Sequence, residues 1–371
     1  MIPISEPCLG DEELNNVVEA IRSGWISSQG KFILEFERKF AQYCGVRHGI
    51  ATSNGTVALH LALKALGIRE GDEVLVPALT FIATANTVTY CNARPVLVDS
   101  DPGCWCIDPS RIVESITSRT KAIIPVHLYG HPCDMDAIGD IARRHSLYVI
   151  EDAAEAHGAL YKGRRVGSFG NVNCFSFFGN KIISTGEGGM CLTDDEDLAK
   201  RMKILRDHGM NPNKRYWYDV VGFNYRMTNL QAAIGAAQVD KLDRLVARRR
   251  QLAEWYNDAF RGLAERGLIT RPPEMPWAKS VYWMYSILLE DGSGMSRDEM
   301  ISALKDKGIE TRPLFYPLHL MPPYQGHSPK GFPIAEELSR KGLNLPSGPG
   351  VGQEEVAMIV NAVASLQGMR V

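Results

Sequence analysis

The sequence of 371 residues predicts an α/β fold, in which a mainly parallel sheet is covered by helices on both faces and a smaller α+β domain follows. Short apolar runs alternate with helix-like segments, and the runs lack the in/out alternation of half-exposed strands. After about residue 265 the composition changes, and Pro272, Pro273 and Pro276 interrupt the chain. We therefore expect a large domain over residues 1–245 and a smaller domain over 246–371.

The individual elements follow from local patterns. Apolar runs bounded by turn residues predict strands at 73–76, 95–98, 122–126 and 148–150, with helices between them at 109–116 and 135–144. From near Met227, Ala, Leu and Val recur at helical spacing and predict one long helix that extends to about residue 260. The arginines at 248–250 are expected to form a solvated face of that helix.

Composition excludes several classes of protein. The balance of 41 Lys+Arg against 43 Asp+Glu argues against binding to nucleic acid or to a membrane surface through bulk charge. No apolar run approaches the roughly 18 residues of a membrane helix, and MIPISEPCLGDEEL does not resemble a secretory signal. The eight cysteines are scattered without CxxC spacing. We expect a soluble cytoplasmic enzyme with reduced thiols.

The segment 53–63, SNGTVALHLAL, predicts a phosphate site at the start of a helix. Ser53 or Asn54 caps this helix, and the N–H groups of Gly55 and Thr56 point off its end. Such an end attracts phosphate through these N–H groups and through the helix dipole. An ordinary N-cap without a ligand has the same pattern, so both interpretations remain open here.

A second candidate is the predicted strand that ends in Glu151 and Asp152, in LYVIED. A buried carboxylate needs a cationic partner or several hydrogen bonds, and a protonated heterocyclic nitrogen is one suitable partner. The alternative is an Asp that caps the helix after the strand.

The stretch 173–189, NCFSFFGNKIISTGEGG, presents Lys181 from a glycine-flanked turn after a predicted strand at 174–178. Apolar neighbours would desolvate the amine and lower its pKa, which favours a nucleophile or a general base. Ser176 offers a hydroxyl for a phosphate. The alternative is a surface lysine in a glycine-rich loop.

Together, a phosphate cup at a helix end, a strand-end Asp and a later loop Lys are the groups that pyridoxal 5'-phosphate requires. The phosphate anchors the cofactor, Asp152 keeps its pyridine nitrogen protonated, and Lys181 forms an imine with it. Phe81, in ALTFIATAN, would supply a flat apolar face for the ring, although a lone aromatic on a helix is commonly part of the core. No GxxxxGK[ST] loop competes for the phosphate, and no HExxH-like spacing indicates a metal.

The chain resembles, almost end to end, the sugar aminotransferases of the DegT/DnrJ/EryC1/StrS family. The motifs that carry the resemblance are GWISSQGKFILEFE (24–37), SNGTVALHLAL (53–63), PALTFIATANTV (77–88), PVHLYG (125–130), VIEDAAEAHGA (149–159), FSFFGNKIISTGEGGM (175–190) and GFNYRMTNLQAAIG (222–235). The resemblance implies the type I fold of pyridoxal-phosphate enzymes, similar to aspartate aminotransferase, with a seven-stranded sheet. It also implies a homodimer whose active sites use residues of both subunits.

The resemblance assigns the cofactor contacts residue by residue. Lys181 is the Schiff-base lysine, Asp152 the partner of the pyridine nitrogen, and the phosphate ligands are Gly55, Thr56 and Ser176. In the GxNxR motif, either Asn224 or Arg226 reaches the phosphate of the neighbouring subunit.

Glu155 departs from the common family pattern. Many members of the family have Gln at this position, beside the phenolic oxygen of the cofactor. A carboxylate there would repel a phenolate, so Glu155 is expected to be either protonated or turned toward the substrate.

Substrate contacts are expected from four residues, each with an alternative. Tyr316 and His319, in RPLFYPLHLMPPY, either reach the active site from the C-terminal domain or pack at the domain interface. Arg312 pairs with a nucleotide phosphate or with a Glu of the small domain. Trp25 resembles a position near the sugar–nucleotide entrance, or else packs an N-terminal helix on the domain.

The implied reaction is transamination of a nucleotide-linked 4-ketosugar by L-glutamate, with pyridoxamine 5'-phosphate as the intermediate form of the cofactor. The phrases FFGNKIISTGEGGM, RYWYDVVGFNYRMTN and RPLFYPLHLMPPY resemble the subgroup that acts on GDP-4-dehydro-6-deoxy-D-mannose. A dTDP- or UDP-linked 3- or 4-ketosugar is the alternative substrate, because specificity lies in a few pocket side chains. A non-catalytic regulatory protein of the same fold is a third interpretation, and the intact Lys181/Asp152 pair argues against it.

Overall fold

Strands form close to where the apolar runs predict them. The computed structural model describes residues 1–326 and 331–368. Its strands are β1 (His48–Thr52), β2 (Glu73–Pro77), β3 (Arg94–Val98), β4 (Thr120–Ile123), β5 (Tyr148–Asp152), β6 (Leu160–Tyr161), β7 (Arg164–Arg165), β8 (Val172–Ser176), β9 (Gly189–Thr193), β10 (Ile269–Thr270), β11 (Ala278–Lys279), β12 (Tyr285–Leu289), β13 (Arg312–Pro313) and β14 (Gly342–Leu345).

Helices connect most of these strands. They are α1 (Asp11–Ser23), α2 (Lys31–Cys44), α3 (Gly55–Ala65), α4 (Ala83–Tyr90), α5 (Pro109–Glu114), α6 (Met135–His145), α7 (Glu196–Arg206), α8 (Asn229–Asp240), α9 (Leu242–Ala259), α10 (Arg261–Glu265), α11 (Arg297–Asp306), α12 (Pro333–Lys341) and α13 (Gln353–Leu366). Within residues 1–326 and 331–368, no helix combines the length and the apolar character needed to cross a membrane. All eight cysteines are free thiols.

The central sheet has seven strands in the order β1-β9-β8-β5-β4-β2-β3. Only β9 runs antiparallel to its neighbours, so the remaining six strands point the same way. Every residue of β2 is buried, because helices cover both faces, and this explains why the run shows no alternation. The predicted α/β fold with a mainly parallel sheet is confirmed.

The C-terminal part forms a second sheet, antiparallel, in the order β10-β12-β14-β13. A separate hydrophobic cluster lies beside it and begins at Leu252, whereas Leu245 and Val246 belong to the cluster of the large sheet. The boundary predicted at 245/246 therefore falls within α9, a helix that both clusters share. The division into two domains stays a prediction.

Two expectations about the region after Met227 were wrong. The predicted single helix is divided into α8 and α9 at Lys241. Arg249 is not solvated: it is only 2% exposed, and its guanidinium donates hydrogen bonds to the carbonyls of Trp283 and Ser347 and to the Ser5 hydroxyl. Burial lowers the pKa of Arg249 to about 10. Arg249 therefore ties the N-terminal segment and the C-terminal sheet to α9.

Replacing Arg249 with Leu should lower the free energy of unfolding by about 2–4 kcal/mol, because two buried carbonyls lose a charged donor. Urea denaturation measures this change. Arg244→Leu, at an exposed position of the same helix, is the matched control and should change the value by less than about 0.5 kcal/mol. Equal effects of the two substitutions would contradict the anchoring role of Arg249.

Candidate active site

The carboxyl ends of the parallel strands and the C-terminal part enclose a cavity of about 680 Å³. One wall consists mainly of residues that end or follow β1, β2, β4, β5 and β8, and the other lies between residues 283 and 344. The predicted site residues that line the cavity are Gly55, Thr56, Phe81, Asp152, Glu155, Ser176, Lys181 and Arg312. The structure thus brings eight residues from distant parts of the sequence to one cavity.

The start of α3 forms an anion cup at one end of the cavity. Asn54, rather than Ser53, caps the helix by accepting a hydrogen bond from the Val57 N–H at 3.0 Å. Gly55 packs so closely on Ser176 that an added Cβ would lie 2.7 Å from the Ser176 Cβ. The backbone N–H groups of the first helical turn and the hydroxyls of Thr56 and Ser176 are donors suited to a phosphate.

Asp152 ends β5 and is buried. Its carboxylate accepts hydrogen bonds from the Thr84 hydroxyl at 2.8 Å and from the Ala154 N–H at 3.2 Å. Burial raises the pKa of Asp152, although these two hydrogen bonds and the charge of Lys181 oppose the change. A protonated ring nitrogen would favour the carboxylate form further.

Lys181 reaches the cavity from the turn after β8, where its backbone N–H donates to the Phe178 carbonyl. Its side chain is only 10% exposed, and its Nζ lies 3.7 Å from the Glu155 Oε1. Burial lowers the pKa of Lys181, against the opposing charges of Glu155 and Asp152. The predicted desolvation of this lysine therefore has a structural basis, and it favours the neutral amine over the ammonium form.

Glu155 faces Lys181 with one oxygen, and its other oxygen accepts a hydrogen bond from the Tyr129 N–H at 2.8 Å. Burial raises the pKa of Glu155 to about 7, even though Lys181 favours the ionised form. A carboxyl group with this pKa exchanges its proton near neutral pH. Burial therefore favours the protonated form, which is one of the two expectations for Glu155, and the role of this residue stays a prediction.

Phe81 lies just before α4, not on the helix itself, and is 55% exposed at the mouth of the cavity. Its ring centroid is 5.8 Å from that of Phe315. An exposed aromatic side chain that lines a cavity is available for contact with a flat ring.

Several residues in or beside the cavity escaped sequence reasoning. Thr84 orients Asp152, and Tyr129 bonds Glu155, while Trp283 places its ring 3.6 Å from the Lys181 Nζ. Thr84 and Tyr129 lie within the motifs 77–88 and 125–130, shortly after predicted strands, and this position could have identified them as residues near the site. Trp283 could not be identified in this way, because it comes from the C-terminal part of the chain.

Glu151, the other carboxylate at the end of β5, is buried away from the cavity lining. It accepts a hydrogen bond from the His127 Nε2 at 2.9 Å and from the N–H groups of Gly167 and Gly170. Burial alone would raise the pKa of Glu151, but these hydrogen bonds outweigh it and lower that pKa. The Cys133 N–H donates to the His127 Nδ1, which leaves the imidazole proton on Nε2, facing Glu151. Glu151 therefore has a structural role.

Asn224 and Arg226 do not reach the cavity of their own chain. The Arg226 guanidinium donates to Asp207 at 2.7 Å and to the Asn224 side chain at 3.0 Å, and Arg226 lines a separate surface pocket. This position leaves both residues at the surface, where a neighbouring subunit could meet them.

The structure separates the four predicted substrate residues. Arg312 lines the cavity and also pairs with Glu310 at 3.0 Å, so both of its predicted contacts are possible. His319 bonds Glu336 at 2.9 Å and packs on Phe332, outside the cavity lining. Tyr316 lies beside Arg297, and the carbonyl of Trp25 accepts a hydrogen bond from Asn229; neither residue lines the cavity.

The residues present fit pyridoxal 5'-phosphate. Because Gly55 has no Cβ, the start of α3 packs directly on Ser176, so the N–H groups and hydroxyls that suit a dianion lie together. Asp152 offers a buried carboxylate to a ring nitrogen. The side-chain oxygen of Asn180, also in the cavity wall, is buried without a hydrogen-bond partner. Within the described parts of the chain, no cluster of three or more His, Cys, Asp or Glu side chains is arranged to hold a metal.

Comparison with known proteins gives matches over nearly the whole chain. The profile of the DegT/DnrJ/EryC1/StrS aminotransferase family matches residues 7–364. The GDP-perosamine synthase of Caulobacter vibrioides is 52% identical over 98% of this chain and 97% of its own, and that of Escherichia coli O157:H7 is 48% identical over 98% and 97%. The X-ray structure of S. venezuelae DesV in complex with a ketimine intermediate has a TM-score of 0.90 at 37% identity, covering 97% of this chain and 95% of that chain.

The raised pKa of Glu155 predicts a pH dependence of stability. In the cofactor-free protein this carboxyl group holds its proton up to about pH 7, whereas its ordinary pKa is 4.5. The stability it contributes is complete below pH 4.5 and is lost as the pH rises through about 7. Glu155→Gln keeps the shape and removes the titration.

The free energy of unfolding of Glu155→Gln, relative to that of the wild type, should therefore increase as the pH rises from 4.5 to about 7. The total increase should be about 3 kcal/mol, at about 1.4 kcal/mol for each pH unit. Urea denaturation at a series of pH values measures it. A difference between the two proteins that does not change with pH would show that Glu155 is ionised throughout.

Proposed function

The chain belongs to the DegT/DnrJ/EryC1/StrS aminotransferase family, and we propose that its sugar substrate is GDP-4-dehydro-6-deoxy-D-mannose. The protein is a pyridoxal-phosphate-dependent sugar aminotransferase with the type I fold. On this proposal it transfers the amino group of L-glutamate to C4 of the sugar and releases GDP-perosamine and 2-oxoglutarate. Two of its relatives, the GDP-perosamine synthases of Caulobacter vibrioides and Escherichia coli O157:H7, support this choice of sugar.

One observation carries the assignment of residues: Lys181, Asp152 and the start of α3 meet in a single cavity. We propose that the N–H groups of Gly55 and Thr56 and the Ser176 hydroxyl bind the cofactor phosphate. Asp152, held by Thr84, accepts a hydrogen bond from the pyridine N–H and keeps that nitrogen protonated. Phe81 covers one face of the ring.

Lys181 moves the protons of the substrates. When bound, pyridoxal 5'-phosphate withdraws electrons from the substrate carbon that loses its proton. In the first half of the reaction the neutral amine of Lys181 removes the Cα proton of L-glutamate, and in the second half Lys181 delivers a proton to C4 of the sugar. Burial lowers the pKa of Lys181, which favours the neutral form that the first of these steps requires.

Glu155 supplies a second site for a proton beside Lys181. Its carboxyl group lies 3.7 Å from the lysine amine and is fixed on its other side by the Tyr129 N–H. A neutral Glu155 can donate a hydrogen bond toward the ring oxygen that a carboxylate would repel. We propose that it occupies this protonated state while the cofactor is bound.

We further propose a homodimer with shared active sites and a cytoplasmic location. Large apolar side chains are exposed beside the Asn224/Arg226 segment, and these are Tyr216, Trp217, Tyr218, Val220 and Val221. Such a patch is typical of a surface that another subunit covers. The eight free thiols support a reducing compartment.

The visible spectrum of the enzyme loaded with pyridoxal 5'-phosphate tests the proposed sugar. L-Glutamate should abolish the absorption band of the lysine-bound cofactor, and GDP-4-dehydro-6-deoxy-D-mannose should restore it, while a dTDP-linked ketosugar should not. In Lys181→Ala the cofactor should not be fixed by borohydride, and kcat should fall by about 10³-fold or more.

Three outcomes separate the alternatives. Restoration by a dTDP- or UDP-linked sugar alone would keep the aminotransferase and change its substrate. A band that L-glutamate leaves unchanged would favour a non-catalytic protein of this fold. Full activity of Lys181→Ala would refute the proposed role of the lysine.

Complementation tests the shared site. A chain with Lys181→Ala and a chain with both Asn224→Ala and Arg226→Ala should each be inactive alone, since each lacks one part of every site. Mixed dimers contain one complete site, so mixing and exchange of subunits should restore part of the activity. If the mixture stays inactive although exchange of subunits has been verified, each active site would lie within one chain.

A further inference from the structure

Trp283 lies against the reactive lysine, although it comes from the C-terminal part of the chain, two residues before β12. It is only 5% exposed. The Lys181 Nζ lies over its ring, 3.6 Å from the centroid. At this distance the negative face of an aromatic ring attracts an ammonium group.

The same side chain also contacts the backbone that carries the lysine. The Trp283 indole N–H donates a hydrogen bond of 2.8 Å to the carbonyl of Asn180, the residue before Lys181. One side chain therefore holds both the backbone at the base of Lys181 and the amine at its tip.

Trp283 is itself held from two sides. Its carbonyl accepts a hydrogen bond of 2.9 Å from the buried Arg249, and its ring lies nearly parallel to Tyr129, at an angle of 13° and 6.2 Å between centroids. Tyr129 in turn accepts a hydrogen bond at its hydroxyl from the Phe315 N–H. Arg249 thus fixes the main chain of Trp283, and Tyr129 packs beside its ring.

We propose that Trp283 is a positioning residue that holds the Lys181 amine whenever the lysine is not bonded to the cofactor. The proposal rests on the proposed function, because a transaminating lysine must be released before it can move a proton. A free lysine side chain has several rotatable bonds. An aromatic ring that holds its amine removes much of this conformational freedom before the proton is transferred. The charged and titratable groups around the amine are Glu155, Asp152, Arg249 and His157.

Two substitutions separate the ring face from the hydrogen bond. Trp283→Phe keeps an aromatic face and loses the indole N–H, whereas Trp283→Leu loses both and keeps the site apolar. If Trp283 only fills space, the amine should behave alike in the two variants. If the ring face holds the ammonium, only the Leu variant should release it.

The first readout is NMR of cofactor-free protein with ¹³C-labelled lysine, in which Lys181→Arg identifies the Lys181 signal. In the wild type the Hε protons of Lys181 should lie upfield of their ordinary position, because they are close to the face of the indole ring. The Phe variant should keep part of this shift and the Leu variant should lose it. A pH titration of this signal should show that the amine binds its proton about threefold to tenfold more weakly in Trp283→Leu than in Trp283→Phe.

The second readout is kinetic and uses the enzyme loaded with pyridoxal 5'-phosphate. With Trp283→Leu, kcat should fall more than KM for L-glutamate changes, and the isotope effect of α-deuterated glutamate on kcat should increase, because proton transfer becomes slower than the other steps. Trp277→Leu is the control; this tryptophan packs on Tyr161 and His131 outside the cavity lining and should leave both readouts unchanged.

A Lys181 signal at its ordinary position in the wild type would overturn the proposal, and this measurement needs no variant to fold. Equal proton affinities in the Phe and Leu variants would also overturn it. Failure of the proposed function would appear separately, as wild-type enzyme that transaminates no sugar while its Lys181 signal stays shifted.

Discussion

Everything at this site depends on removing one amine and two carboxyl groups from water at the same edge of the sheet. Burial of a charge is costly unless it is paired and hydrogen-bonded. Lys181 has Glu155 at 3.7 Å, and Asp152 has the Thr84 hydroxyl, so each group is only partly compensated. As a result all three pKa values move toward the neutral forms. The same incomplete compensation that costs stability favours the neutral amine and the neutral acids, and groups perturbed in this way are typical of active sites.

The fold makes this arrangement possible in two steps. Six strands that run the same way bring the segments after β1, β5 and β8 to one edge, so the phosphate cup, Asp152 and Lys181 need no long loops to meet. The C-terminal part then closes the other side of the cavity and supplies Trp283. The hydrogen bond from buried Arg249 to the Trp283 carbonyl connects the stability of this second wall to the position of the lysine.

The two adjacent carboxylates at the end of β5 show how neighbours in sequence acquire different roles. Successive side chains of a strand point to opposite faces. Asp152 therefore faces the cavity, while Glu151 faces His127 and the N–H groups of the loop after residue 166. The pKa of Glu151 is lowered and that of Asp152 is raised, so the surroundings, and not the type of side chain, separate a structural carboxylate from a reactive one.

The sequence by itself determined the class of fold, the positions of five of the seven strands of the central sheet, and the motifs that carry Lys181, Asp152 and the phosphate cup. These follow because apolar periodicity, caps and glycine turns are local properties. Only the tertiary structure decided that Arg249 is buried, that Trp283 meets Lys181, and that His319 bonds Glu336 outside the cavity lining. These contacts join residues far apart in the chain, or depend on which face of a helix a neighbour covers. Local sequence contains no information on such distances, so they follow only from the packing of the whole molecule.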